Sequence, residues 1–147
     1  MCPVKTTPVK PMRCEIVTEG LLWIDKIASG VGVILYNPER KVAGGYHVLR
    51  GKSSGGVPVH PAYYADTALS YVINELRKRG VHENLSVAVA GGASLLSSGI
   101  DTLGELLVAA VKDSLKDQGL SVKIERVGGV KLRSMILNVD EGKIRIS

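Results

Sequence analysis

The chain has 147 residues, 45% of them hydrophobic, which suits one domain with a real core. Phe is absent and aromatics are only 4%, so that core must be aliphatic, and a net charge of +5 without a dense Lys/Arg block admits an acidic partner but argues against nucleic acid. No apolar run approaches the ~20 residues of a membrane span, and Cys2 and Cys14 are the only cysteines, with no CxxC or Cys/His cluster to hold a metal.

Residues 1–12 carry three prolines and two lysines and cannot form a regular helix; they read as a flexible tail, extended and with room for an edge strand. No apolar segment follows Lys5 and Lys10 in the manner of a signal peptide, so membrane insertion is not expected and the expected location is the cytoplasm. Residues 13–147 read as a single domain. Alternation over residues 13–18 predicts a strand containing Cys14, whose simplest role is that of a small core residue. Residues 21–27, LLWIDKI, predict a strand or a short helical turn.

Next come two apolar runs, residues 31–36 and 42–49, flanking the turn residues Asn37, Pro38, Glu39 and Arg40, which together predict a β-hairpin. The hairpin returns His47 to the start of its own first strand. The loop Ala28, Ser29, Gly30 then lies near an imidazole, the layout of a nucleophile and its base, but Gly30 offers no attacking atom. After a Gly/Ser/Pro loop whose His60 reads as exposed and neutral, residues 62–79 show the three- and four-residue spacing of an amphipathic helix. Arg77, Lys78 and Arg79 suit its C-terminal end, and Gly80 stops it. Residues 85–90 predict a short buried strand running into Gly91, Gly92, Ala93 and Ser94. That diglycine implies close approach to either a neighbouring strand or a ligand. Residues 102–118 predict a second amphipathic helix, with Asp101 as N-cap and Gly119 as its stop. A strand over 120–127, a second diglycine at Gly128 and Gly129, and a hairpin turning at Asp140, Glu141 and Gly142 complete the chain. Two helices among this many strands predict an α+β class with mixed, packed sheets.

In their order and spacing these pieces resemble the CheD family of chemoreceptor glutamine deamidases. The pieces are SGVGVILYNP followed by GGYHVL, then YADTA at residues 64–68, AGGAS at residues 90–94, and VGGVKLRS at residues 127–134. The resemblance implies a four-layer α/β/β/α arrangement related to bacterial toxin deamidases. It implies hydrolysis of a receptor glutamine amide to glutamate with release of ammonia, with no cofactor and no metal. Members of the family use a cysteine nucleophile, a histidine base and a nearby threonine. The histidine falls on His47. The family's Gly-Ser-Cys-Val motif falls on Ala28, Ser29, Gly30 and Val31, so the nucleophile position is Gly30. The threonine position falls near Ile24, and the Arg-Asn pair usual in the second helix is replaced by Glu105 and Leu106. The arginine after the last diglycine is retained as Arg133.

The resemblance places substrate or partner contacts at Gly91, Gly92, Ala93, Ser94 and Arg133. It implies chemoreceptor cytoplasmic segments or a CheC-type phosphatase as partners. Three readings follow. The chain is a CheD-like protein that has lost its hydrolytic chemistry and acts by binding. Alternatively it is an active amidohydrolase with Ser29 or Cys14 as the nucleophile, or a basic module for an unrelated acidic partner. Loss of a nucleophile of this kind removes on the order of 10⁴-fold or more of the acceleration.

Overall fold

The computed structural model describes residues 4–56, 58–94 and 103–147. Its strands are β1 (Thr6–Pro8), β2 (Arg13–Val17), β3 (Leu21–Ile27), β4 (Val31–Asn37), β5 (Val42–Val48), β6 (Ser86–Gly91), β7 (Val122–Val127), β8 (Arg133–Asn138) and β9 (Lys143–Ile146). The helices are α1 (Ala65–Lys78), preceded by a single 3-10 turn at Pro61–Tyr63, and α2 (Leu103–Asp117). The class is α+β, with two mixed sheets.

The central sheet runs β2-β5-β4-β6-β7, antiparallel except for the parallel β6/β7 pair. The second sheet runs β1-β3-β8-β9, with only β1/β3 parallel. The pleat sends alternate side chains of the central sheet into two separate cores. Val31, Val33, Leu35, Tyr46, Val48, Val87 and Val89 face the helices, where they meet Leu69, Val72 and Leu76 of α1 and Leu107, Val111 and Leu115 of α2. Ile34, Ala43, Ala88 and Ala90 face the second sheet, against Leu22, Ile24, Ile27, Met135 and Leu137. Each Leu, Ile or Val fully removed from water in these cores contributes about 1.5–3 kcal/mol. At one end the sheets are tied by Tyr36, whose hydroxyl donates to the Val139 carbonyl at 2.7 Å.

Both helices therefore cover the same face of the central sheet. Among the described residues the layers are three, helices, five-stranded sheet and four-stranded sheet, rather than the four that the resemblance implied. Both helices end as the sequence predicts. Gly80 adopts φ +84°, its N–H donates to the Arg77 carbonyl, and the Val81 N–H reaches back to Leu76. Gly119, at φ +73°, closes α2 in the same way through Lys116 and Leu115. These paired bonds satisfy carbonyls that the helix itself leaves open, and the left-handed residue they need favours glycine. The Asp101 cap lies outside the described residues.

Two open alternatives close and one expectation changes. Residues 21–27 resolve as a strand, because Leu22, Ile24 and Ile27 all face the inter-sheet core. The N-terminal segment does not hang free over its described part: Thr6–Pro8 adds to β3, and Val9, 3% exposed, is buried between the sheets. A lysine- and proline-rich composition hid the one apolar residue that anchors it. His60 is not neutral to the structure either, since its Nδ1 accepts the Ala62 N–H at 3.0 Å and caps the 3-10 turn.

Candidate functional site

The loop of residues 28–30 joins the two sheets, leading from the end of β3 into β4. Its position is fixed by backbone bonds. The Gly92 N–H donates to the Gly30 carbonyl at 2.8 Å, and the Ala93 N–H donates to the Ala28 carbonyl at 3.0 Å. The strand carrying the first diglycine therefore grips the loop from one side. Gly91 lies so close that a Cβ on it would collide with the Gly30 carbonyl oxygen, and its φ of +123° is itself a glycine conformation. The diglycine's close approach is thus to this loop and to α2. A Cβ on Gly92 would meet Val108 and the Gly104 carbonyl.

From the other side comes β5. Antiparallel pairing sets His47 opposite Gly32 and Val48 opposite Val31. His47 consequently projects from the face of the sheet that Gly32 and Gly30 share, toward the second sheet. A Cβ on Gly30 would lie 3.1 Å from His47 Nε2, 3.0 Å from the Val48 carbonyl oxygen and 2.6 Å from Leu49 Cδ2. Position 30 is where any side chain would touch the imidazole. Gly30 is not in the left-handed region, so its backbone suits other residues; the Leu49 side chain, itself 47% exposed, crowds the direction most, and the Val48 carbonyl and the imidazole are tight neighbours as well.

His47 is 2% exposed. Desolvation holds its pKa below the ordinary imidazole value, so the ring is neutral and able to accept a proton at neutral pH. No hydrogen-bonding group among the described residues reaches its buried Nδ1. Its backbone is pinned by the Met12 N–H, which donates to the His47 carbonyl at 2.7 Å.

The other candidate nucleophiles are not brought to this imidazole. Ser29 is exposed and lines an open groove with Leu49, Arg50, Leu103, Leu106 and Ala110, on the α2 side of the sheet. Cys14 pairs with Tyr46, the neighbour of His47, and packs into the core under the helices. The sheet itself separates its sulfur from the ring. Burial, with Glu15 beside it, pushes the Cys14 thiol up to about 12, the opposite of an activated thiol. Ile24, where the resemblance looked for a hydroxyl, is fully buried beside Gly32 and Met135.

Gly91, Gly92, Ala93, Ser94 and Arg133 do gather at this end of the molecule. The Gly128 N–H donates to the Gly91 carbonyl at 2.9 Å, and the Ser94 N–H donates to the Gly129 carbonyl at 2.8 Å. Arg133, opposite Ile27 on β8, donates from Nη2 to the Gly128 carbonyl at 3.3 Å. Two residues at the site escaped the sequence reading. Leu49 closes over Gly30, and Gly104 lets α2 press against Gly92. A glycine within a predicted amphipathic helix was a legible signal for the second; nothing in the sequence marked the first.

The family described as CheD chemotactic sensory transduction matches residues 50–147. The chain belongs to the CheD family. It is 39% identical over 132 residues to the chemoreceptor glutamine deamidase CheD of Thermotoga maritima, covering 89% of this chain and 80% of that protein. Against the probable chemoreceptor glutamine deamidases CheD of Methanococcus vannielii and Clostridium botulinum it is 33% identical, with 82% of the chain covered and 80% and 78% of those proteins. The protein is thus a homologue of chemoreceptor glutamine deamidases in chemotactic signalling. No helix among its described residues is long and apolar enough to cross a membrane.

Proposed function

We propose that this CheD-family protein keeps the frame of a thiol-dependent glutamine deamidase but lacks the thiol, and works by binding rather than by hydrolysis. The observation that carries this reading is the Cβ direction of Gly30, which points within 3.1 Å of His47 Nε2 in a position that holds glycine. An acyl-transfer site needs an attacking atom beside its base. Here the base is neutral and buried beside that position, while the nearest hydroxyl in sequence, Ser29, opens onto the groove over α2 and the described thiol lies behind the sheet. The partners in this reading are the cytoplasmic segments of chemoreceptors or a CheC-type phosphatase, met in the cytoplasm, with no cofactor. The frame keeps its kinship with bacterial toxin deamidases. Use of Ser29 or Cys14 as a substitute nucleophile, and service as a basic module for an unrelated acidic partner, have less support.

The test is ammonia release from glutamine-bearing receptor fragments. The protein is expected to release ammonia no faster than buffer, while co-purifying with a receptor fragment or a CheC-type phosphatase. Clear turnover that disappears in His47→Ala would overturn the reading.

A further inference from the structure

Four side-chain polar atoms among the described residues are buried with no hydrogen-bonding protein partner: Tyr46 Oη, His47 Nδ1, Ser94 Oγ and Arg133 Nε. Tyr46 lies in the core under the helices, and His47 belongs to the site above. Ser94 and Arg133 are different, because both hang from one dipeptide. The Ser94 backbone N–H is bound to the Gly129 carbonyl, Arg133 Nη2 is bound to the Gly128 carbonyl, and a Cβ on Gly129 would sit 3.7 Å from that Nη2.

A guanidinium remains charged at any physiological pH and carries five N–H donors. Arg133 spends one of them on a neutral carbonyl and forms no salt bridge with any described residue. Leaving a buried charged donor unsatisfied is costly, and native structures rarely do so without a reason. The surroundings are cationic too. A cleft at Arg133, lined also by Asp25, Lys26, Lys131 and Ser147 but not by Ser94, sets three basic side chains against one acidic side chain. Lys26 is held at φ +51° by an irregularity in β3 between Ile24 and Ile27, an arrangement that re-aims a side chain from its regular strand direction.

We propose that Arg133 Nε and Ser94 Oγ form the seat of a small oxyanion, of the carboxylate or phosphate class, beside the loop of Gly30. Arg133 supplies the charge and a directed N–H, and Ser94 supplies a hydroxyl donor. Gly128 and Gly129 hold the two in place from the backbone. The seat requires no hydrolysis, so it stands or falls separately from the reading of Gly30.

The experiment follows the Nε–Hε resonance of Arg133 by ¹H–¹⁵N correlation in the full chain. Sodium acetate and sodium phosphate are titrated through the millimolar range at constant ionic strength, with chloride as the balance. A saturable shift with acetate assigns the seat to a carboxylate, and one with phosphate assigns it to a free phosphate; either supports the proposal. Arg133→Lys keeps the charge but loses Nε, and is expected to weaken binding about tenfold, read from backbone amides around Gly129. Ser94→Ala, a milder change, is expected to weaken it severalfold while leaving the circular dichroism spectrum unchanged. No saturable shift with either anion, or equal affinity in both variants and the parent chain, would overturn the proposal.

Discussion

Tyr46 and His47 are neighbours on β5, yet they belong to different chemical worlds. On the helix side of the sheet, Tyr46 lies beside Cys14, where a thiol exists but burial suppresses its ionisation. On the inter-sheet side, His47 lies beside Gly30, where a neutral imidazole exists but none of the described residues offers a thiol. One residue of pleat separates the two halves of a nucleophilic pair. Holding both partners in the chain is therefore not enough for chemistry. They must also leave the sheet on the same side.

The contrast breaks most sharply by moving a thiol from one face to the other. In a Cys2→Ser background, iodoacetamide should label Cys14 on the order of 10³-fold more slowly than an ordinary thiol at mildly alkaline pH, because the thiolate fraction falls with the raised pKa. The further change Gly30→Cys should add a site labelled at least as fast as a free thiol, read by mass spectrometry of the peptides. Equal labelling of the two positions would end the distinction between the faces. Adding Leu49→Ala should raise labelling at position 30 by a further few-fold, since that side chain stands 2.6 Å from the new Cβ.

A second strike is at the grip on the loop. Gly91→Ala puts a Cβ into the Gly30 carbonyl oxygen at a φ of +123°. The expected loss of stability is about 3 kcal/mol or more, measured by denaturant unfolding. A loss below about 1 kcal/mol would show that the loop yields without cost.

The smallest effect concerns acid. The pKa of His47 is lowered in the folded chain relative to its ordinary value of 6.5. Between those two values the unfolded chain binds the extra proton, so stability rises with pH through that window. The contribution is complete above about pH 6.5 and is lost progressively as pH falls toward the folded value, at no more than about 1.4 kcal/mol per pH unit. His47→Gln should flatten this part of the stability–pH curve. An unchanged curve would mean that the imidazole is not desolvated.

Much of the frame is legible in the amino-acid order. The β4/β5 hairpin follows from two apolar runs around Asn37 and Pro38, and both helices from spacing and a terminal glycine. Local chemistry fixes such elements, because turn residues and hydrophobic period act over a few positions. The union of His47 and Gly30 was legible too, since a short hairpin sets its own register. Which face each candidate nucleophile would take was not. Cys14 reaches β5 from an edge strand, and only the pairing of Cys14 with Tyr46 rather than with His47 sends its sulfur under the helices. The stacking of both helices on one face likewise depends on contacts between distant segments. So does the meeting of Ser94 and Arg133 over Gly128 and Gly129. Those contacts arise when separate apolar faces seek cover from water, a condition imposed on the whole chain at once rather than on any stretch of it.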